Sequence, residues 1–235
     1  MACNQLYNSQ MVIEEEDDEG SLAASSVDIA NFETIGPEFI IAPTLAKRDT
    51  YAKSGNDLIR NGKVAMCLIA TESAKNLGSS EVSKGFFQMD LPSGKTIFQI
   101  FVEKFLRVQQ IAHGSKKITK NTKNCKMMII TSQSNYTATK AFFKENNYFG
   151  AGRTSFLFHT QGMLPQVDLD GKIIMKRTSE IQLSPSGSGA LFESVSNSQK
   201  VKDLLKSVEY LQVSSIENMT CLDPVFVGYS SQKGL

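Results

Sequence analysis

Several common classes of protein are excluded by what this 235-residue chain lacks. It has no apolar run of the roughly 18 residues that a membrane-spanning helix requires. Its 25 basic residues almost balance its 24 acidic ones, and the net charge of +1 offers no electrostatic footprint for nucleic acid or for an anionic membrane. We therefore expect partners that are neither nucleic acid nor membrane. The hydrophobic content of 41% is typical of a globular domain.

Signatures of metal binding and hydrolysis are also missing. The four cysteines form no CxxC pair, and Cys67, inside the apolar run VAMCLIA, is expected to be a buried free thiol. Neither His113 nor His159 has a cysteine or carboxylate at metal-ligand spacing. The SGKT sequence at 93–96 is not a Walker A motif, because Met89 stands where that motif requires its first glycine.

The amino-terminal region differs in composition from the rest of the chain. Residues 1–36 are polar and contain the acidic block Glu14–Glu19, which predicts a disordered acidic arm. Residues 37–62 have a mixed pattern and are predicted to form a linker with short helices. The first residues have neither the basic start nor the apolar core of a secretory signal, so we expect a cytoplasmic protein.

From Lys63 onward, apolar runs alternate with helical patterns. Strands buried on both faces are predicted at Lys63–Ala70, Lys126–Thr131, Thr154–Thr160 and Glu209–Ile216. Helices are predicted at Thr96–Ala112, Asn135–Asn147 and Ala190–Ser207. This alternation predicts an α/β fold with a doubly wound, mostly parallel sheet of the Rossmann type.

The same pattern predicts where a ligand would bind and where the chain turns. Doubly wound sheets bind ligands beyond the carboxyl ends of their strands. The predicted ligand-binding segments are therefore the loops at 71–80 and 184–189 and residues 216–218. Thr96 and Gln99 form a possible capping box. The dipeptide at 170–171, Asp-Gly, predicts a hairpin turn with positive φ.

Six phrases, in this order and spacing, carry a resemblance to a known family. They are KVAMCLIATESAKNLGSS, SKGFFQMDLPSGKTIFQI, FFKENNYFG, FHTQGMLPQVDLDGKI, LSPSGSGALF and SIENMTCLDPVFVGYSSQKG. Together they closely resemble the amino-terminal half of the eukaryotic UDP-N-acetylglucosamine pyrophosphorylases, within the UDP-sugar pyrophosphorylase family. The resemblance runs from about Lys63 to Gly234. It implies that residues 63–235 form a truncated, partial nucleotidyltransferase domain.

The resemblance also implies a reaction and a set of site residues. Enzymes of this family join UTP to N-acetylglucosamine 1-phosphate and release pyrophosphate, with Mg²⁺ present. Lys84 matches a family lysine near the phosphates and is the implied catalytic residue, and Glu217 stands at the position of the metal-binding aspartate. The implied nucleotide-binding residues are Ile69, Ala70, Thr71, Glu72, Gln161, Gly162, Gly187 and Ser188.

The phosphate loop departs from the family pattern LAGGQGTRLG. Its three internal glycines are replaced by Thr71, Glu72 and Ala74. If these positions require a left-handed backbone, each replacement is expected to raise the conformational energy of the loop by about 1–2 kcal/mol. Asn76 replaces the arginine, and Lys75 is expected to compensate only in part because it lacks the planar guanidinium. The extra methylene of Glu217 is expected to displace Mg²⁺, which demands near-octahedral geometry.

Three functional hypotheses remain open at this point. In the first hypothesis, the chain is a catalytically impaired relative that binds UTP or a UDP-sugar weakly. It would then act by binding a protein partner, either an active family member or another protein that covers the truncated sheet. Alternatively, it is an active pyrophosphorylase with an atypical phosphate loop. In the third hypothesis it is a non-functional, truncated gene product.

Overall fold

The computed structural model of the chain describes residues 42–114, 124–187 and 189–234. The predicted acidic arm at 1–36 lies outside these ranges. The chain divides into two compact units, a larger one formed by residues 43–162 and 185–235 and a smaller one that includes residues 163–184. The larger unit contains the sheet and the candidate site.

The strands and helices follow one another in the predicted alternation. The strands are β1 Val64–Ala70, β2 Lys126–Thr131, β3 Phe156–Thr160, β4 Met163–Pro165, β5 Met175–Arg177, β6 Glu180–Ile181, β7 Leu183–Pro185 and β8 Tyr210–Ser215. The α-helices are α1 Leu45–Arg60, α2 Ile97–Ala112, α3 Tyr136–Glu145, α4 Ala190–Asn197, α5 Gln199–Lys206 and α6 Pro224–Lys233. Short 3₁₀ turns at Ala74–Leu77 and Lys84–Phe86 lie between β1 and α2.

The larger unit is built on a four-stranded sheet in the order β3-β2-β1-β8. Every neighbouring pair in this sheet is parallel. The central strand β1 is an almost fully buried apolar run, as expected for a strand with helices on both faces. The predicted α/β fold with a parallel, doubly wound sheet is therefore confirmed.

The sheet separates two hydrophobic layers. On one face, α1, α2, α3 and α6 enclose a core in which Phe98, Phe101 and Phe105 of α2 are fully buried. On the other face, Leu191 of α4 and Val201 of α5 pack against alternate residues of β1 and β2. Each fully buried aromatic or aliphatic side chain contributes about 1.5–3 kcal/mol through removal of apolar surface from water.

Two glycines allow the first and last helices to pack closely. A Cβ atom added at Gly55 of α1 would lie 1.9 Å from the carbonyl oxygen of Pro224, and one added at Gly228 of α6 would lie 1.9 Å from the carbonyl oxygen of Tyr51. Only residues without a side chain permit this approach. The contact joins the two ends of the larger unit, because α1 precedes the sheet and α6 follows its last strand.

Some local predictions were wrong. Residues 45–60 form one 16-residue helix instead of short helices in a linker. The helix predicted at 190–207 is broken at Ser198, whose hydroxyl accepts a hydrogen bond from the Val201 amide and starts α5. In the predicted capping box, Thr96 accepts from the Gln99 amide, but the Gln99 side chain donates to Glu103 instead of closing the box.

The smaller unit contains the predicted hairpin. Val167 and Ile173 form an antiparallel bridge around the Asp-Gly turn, and Gly171 has a φ of 79°. Beyond this turn, β5 pairs antiparallel with β6. Across the described ranges, no helix combines the length and the apolar character needed to cross a membrane.

Candidate functional site

The carboxyl ends of the parallel strands surround a pocket of about 510 Å³ in the larger unit. Its lining comes from the loops after β1, β2, β3 and β7 and is mostly polar: Thr71, Glu72, Ser73, Asn76, Val82, Ser132, Ser134, Gln161 and Gly187. The strand order reverses at β1, which has β2 on one side and β8 on the other. Ligands of doubly wound sheets bind at such a switch point. Gln161 and Gly187 both line this pocket, whereas Lys84, which the resemblance implies as the catalytic residue, is not among its lining residues.

Three backbone amides of the loop after β1 donate to carbonyl oxygens of the same loop. The Ala74 amide donates to the Glu81 carbonyl over 3.0 Å, and the Ser79 amide donates to the Ala74 carbonyl over 3.2 Å. The Gly78 amide donates to the carbonyl of Lys75 over 2.9 Å. In a glycine-rich phosphate loop, amides point at the ligand, whereas these three are satisfied within the loop.

The three residues that replace family glycines are not strained. Asn147, Tyr148 and Phe149 are the only non-glycine residues in the described part of the chain with a positive φ. Thr71, Glu72 and Ala74 therefore adopt ordinary backbone conformations, and the energetic cost considered for a left-handed backbone does not arise. The loop contains a 3₁₀ turn that ends at the left-handed Gly78.

Lys84 is fixed by the core beneath it and by the loop beside it. The buried Ser83 hydroxyl accepts a hydrogen bond from the Gly85 amide over 3.2 Å and starts the turn that holds Lys84. Gly85 is required there because a Cβ atom would lie 2.1 Å from the ring of Phe98. The Lys84 amide donates to the Glu72 carbonyl over 3.0 Å. The side chain of Lys84 is only 5% exposed.

The Lys84 ammonium lies between two carboxylates. It donates to Glu72 Oε2 and to Glu217 Oε1, which come from the loops after β1 and β8. The hydrogen bonds with Glu217 and then Glu72 raise the pKa of Lys84 above its usual value, against the opposing effect of burial. Lys84 is therefore charged at neutral pH. Two carboxylates and one ammonium leave this triad with a net charge of −1.

The Gln161 side chain has no hydrogen-bond partner within the described structure. It follows β3, where its amide donates to the Thr131 carbonyl over 2.9 Å. The residue is 4% exposed, and neither its Oε1 nor its Nε2 atom has a partner. Burial of such a group without hydrogen bonds costs about 1–3 kcal/mol. Because Gln161 lines the pocket, a ligand that offers one acceptor and one donor would satisfy it.

A contact between two loops brings Gly187 to the pocket. Ser186 donates from its amide over 3.1 Å and from its hydroxyl over 2.9 Å to the carbonyl oxygen of Gly162. Gly187 follows with a φ of 77°, a conformation that favours glycine. Gly162 itself is approached by the Glu193 carboxylate of α4. Ser188 lies outside the described residues.

The remaining implied residues have other positions. Ile69 and Ala70 end β1, and their carbonyls accept hydrogen bonds from the Ile216 amide and from Asn135 Nδ2, at 2.9 and 3.1 Å. Neither residue lines the pocket. Asn76, at the family arginine position, does line it. Whether the pocket residues bind a nucleotide stays a prediction.

The loop after β2 contributes residues that the sequence analysis missed. Ser132 and Ser134 line the pocket, and their hydroxyls are 2.9 Å apart. Asn135 is fully buried and holds this loop against the end of β1, because its Nδ2 atom donates to the carbonyl oxygen of Ala70. The signal was present in the sequence, since the phrase SQSN directly follows a predicted strand and so lies at the carboxyl edge of the sheet.

Mg²⁺ does not fit the residues found at the implied metal position. Glu217 is already paired with the buried ammonium of Lys84. Within residues 42–114, 124–187 and 189–234, no group of three or more His, Cys, Asp or Glu side chains could hold a metal ion. The arrangement therefore differs from an oxygen-ligand site for a hard divalent cation.

The fold and the pocket define an α/β protein with a polar pocket at the switch point of a parallel sheet. The family model for UTP–glucose-1-phosphate uridylyltransferase matches residues 11–235, and the chain belongs to this family. A Saccharomyces cerevisiae UDP-N-acetylglucosamine pyrophosphorylase is 33% identical over 192 residues, which cover 80% of this chain and 39% of that protein. An Arabidopsis thaliana UDP-N-acetylglucosamine diphosphorylase is 30% identical over 222 residues, which cover 91% of this chain and 44% of that protein.

Solved structures agree with the sequence comparison. The uridine diphosphate N-acetylglucosamine pyrophosphorylase of Trypanosoma brucei, in complex with an inhibitor, superposes with a TM-score of 0.71 at 29% identity. That match covers 80% of this chain and 39% of the other. The chain thus spans about two-fifths of the length of these relatives.

Proposed function

We propose that the chain binds the uridine part of a uridine nucleotide or UDP-sugar and is impaired as a pyrophosphorylase. The observation that carries the proposal is the buried Gln161 carboxamide, which lines the pocket with both polar atoms unpartnered in the described structure. A carboxamide presents one acceptor and a donor group side by side. The imide edge of uracil presents the matching donor and acceptor.

The surrounding residues support a small polar ligand. Ser132 and Ser134 place hydroxyl groups in the same pocket, and Gly187 offers backbone without a side chain. The chain is similar to proteins that are named UDP-N-acetylglucosamine pyrophosphorylases. One of these relatives, at 29% identity, has a crystal structure in complex with an inhibitor. A uridine compound is thus the ligand class that agrees with both the family and the pocket.

The phosphate end of the pocket supports the second half of the proposal. Glu72 brings a carboxylate into the lining of the pocket, and the Lys84 ammonium is already occupied by two carboxylates. Asn76 cannot supply the charge-assisted hydrogen bonds that an arginine would give, which contribute about 1.5–3 kcal/mol each. A combined loss of about 4 kcal/mol in the transition state would slow the reaction about a thousandfold.

An active pyrophosphorylase is the alternative that the sequence comparison favours. Identity of 33% to a protein that is named as an enzyme supports retained activity, and the resemblance implies that Lys84 matches the family lysine near the phosphates. The two hypotheses differ in one measurement, the formation of UDP-N-acetylglucosamine from UTP and N-acetylglucosamine 1-phosphate with Mg²⁺. We expect the purified chain to form no more product than its Lys84→Ala variant. Product above that control would refute the impairment and establish the active enzyme.

A further inference from the structure

We propose that the Lys84 ammonium acts as a built-in cation that replaces a bound metal ion, with Glu72 and Glu217 as its two ligands. The chain would then bind its ligand without any divalent cation. The metal part of this inference is independent of the proposed uridine ligand. The effect of metal on ligand affinity rests on the proposed function, so the two parts are tested separately.

The first argument is the geometry of the triad. Oε2 of Glu72 and Oε1 of Glu217 both accept hydrogen bonds from the same nitrogen, although these residues are 12 and 133 positions away from Lys84 in the chain. Both carboxylate oxygens therefore contact the same cation. A single charged nitrogen from the protein already fills the position between them.

The second argument is burial. The Lys84 side chain is 5% exposed, whereas the side chains of Glu72 and Glu217 are 61% and 62% exposed. The ammonium therefore lies beneath the two carboxylates, on the protein side of the triad. A buried ammonium without counter-ions is strongly disfavoured, so departure of either carboxylate toward a competing metal would leave Lys84 poorly compensated.

The third argument is that Lys84 cannot easily move away. Its amide is bound to the Glu72 carbonyl, and the following Gly85 is packed against the ring of the buried Phe98. A divalent ion at the carboxylates would therefore lie close to a fixed positive charge, and like charges at short distance repel. Glu72 is the residue that completes the arrangement, because it supplies the second carboxylate from a position that is glycine in the family loop.

The test measures Mn²⁺ binding to the nucleotide-free protein, by electron paramagnetic resonance and by calorimetry. We expect no saturable binding by the wild-type chain. We expect one saturable Mn²⁺ site in Lys84→Met, because its two exposed carboxylates lose their shared cation. That site should disappear in the double variant Lys84→Met, Glu217→Gln. Lys95→Met removes a lysine from another ion pair, that with Glu103, and should gain no site.

Two results would overturn the inference. One is saturable Mn²⁺ binding by the wild-type chain that is lost in Glu217→Gln, an outcome that can be scored even if Lys84→Met does not fold. The other is a folded Lys84→Met variant that gains no site.

With the wild-type chain, uridine affinity in excess chelator and in excess Mg²⁺ should agree within about twofold. Metal-dependent uridine binding would contradict the built-in cation, whereas absence of uridine binding in both conditions would contradict only the proposed function.

Discussion

Replacement of Gln161 by leucine should affect stability and binding in opposite directions. Both polar atoms of this buried side chain are unpartnered in the described structure, and such a group costs about 1–3 kcal/mol. Leucine fills a similar volume without polar atoms, so the free energy of unfolding of the ligand-free protein should increase by up to about 3 kcal/mol. For a domain of this size, each kcal/mol corresponds to a rise of roughly 2–4 °C in the melting temperature.

The same replacement should weaken the binding of uridine. Loss of two hydrogen bonds that the ligand makes with the carboxamide should weaken binding by at least about tenfold. Calorimetric titration and thermal unfolding of the same preparations measure both effects, and Gln232→Leu, at an exposed position in α6, is the matched control. A Gln161→Leu protein that is less stable and still binds uridine would show that this carboxamide has a structural role.

Three further outcomes follow from other contacts. Gly228→Ala should lower the free energy of unfolding by about 1–3 kcal/mol in urea, because its methyl group would overlap the backbone of α1, and Gln232→Ala should not. Glu72→Gly should strengthen UTP binding severalfold while leaving uridine affinity unchanged, and an equal effect on both ligands would contradict the charge argument. Burial raises the pKa of Cys67 and of Cys125 to about 12, so neither thiol should react with iodoacetamide at pH 8 before unfolding, as followed by mass spectrometry.

The parts of the fold that could be predicted from the sequence are those that local pattern determines. The run VAMCLIA predicts β1 because only a strand with helices on both faces buries so many consecutive apolar residues. Lys126–Thr131 was predicted with its observed bounds, whereas the other three predicted strands began one or two residues early, as at Lys63, because the apolar pattern fades gradually at their ends. The break at Ser198 was not predicted, since a helical pattern continues across it and only the serine cap marks the new start.

The candidate site was predictable in part. Gln161 and Gly187 came from the resemblance, and the position of the pocket came from the rule for parallel sheets. The Lys84 triad could not be predicted from local pattern, because its members are 12 and 133 residues apart and meet only through the order of the strands. The replacement of glycine by Glu72 was visible in the sequence, but its pairing with Lys84 required the fold.

The central claim is that this pocket retains uridine recognition and has lost phosphate recognition. Calorimetric titration with uridine, UMP, UDP and UTP tests it most directly, in one buffer with excess chelator and again with Mg²⁺. With a net charge of −1 on the triad at the phosphate end, affinity should fall as phosphates are added, in both buffers. Affinity that rises from uridine to UTP, most of all if the rise requires Mg²⁺, would contradict this account.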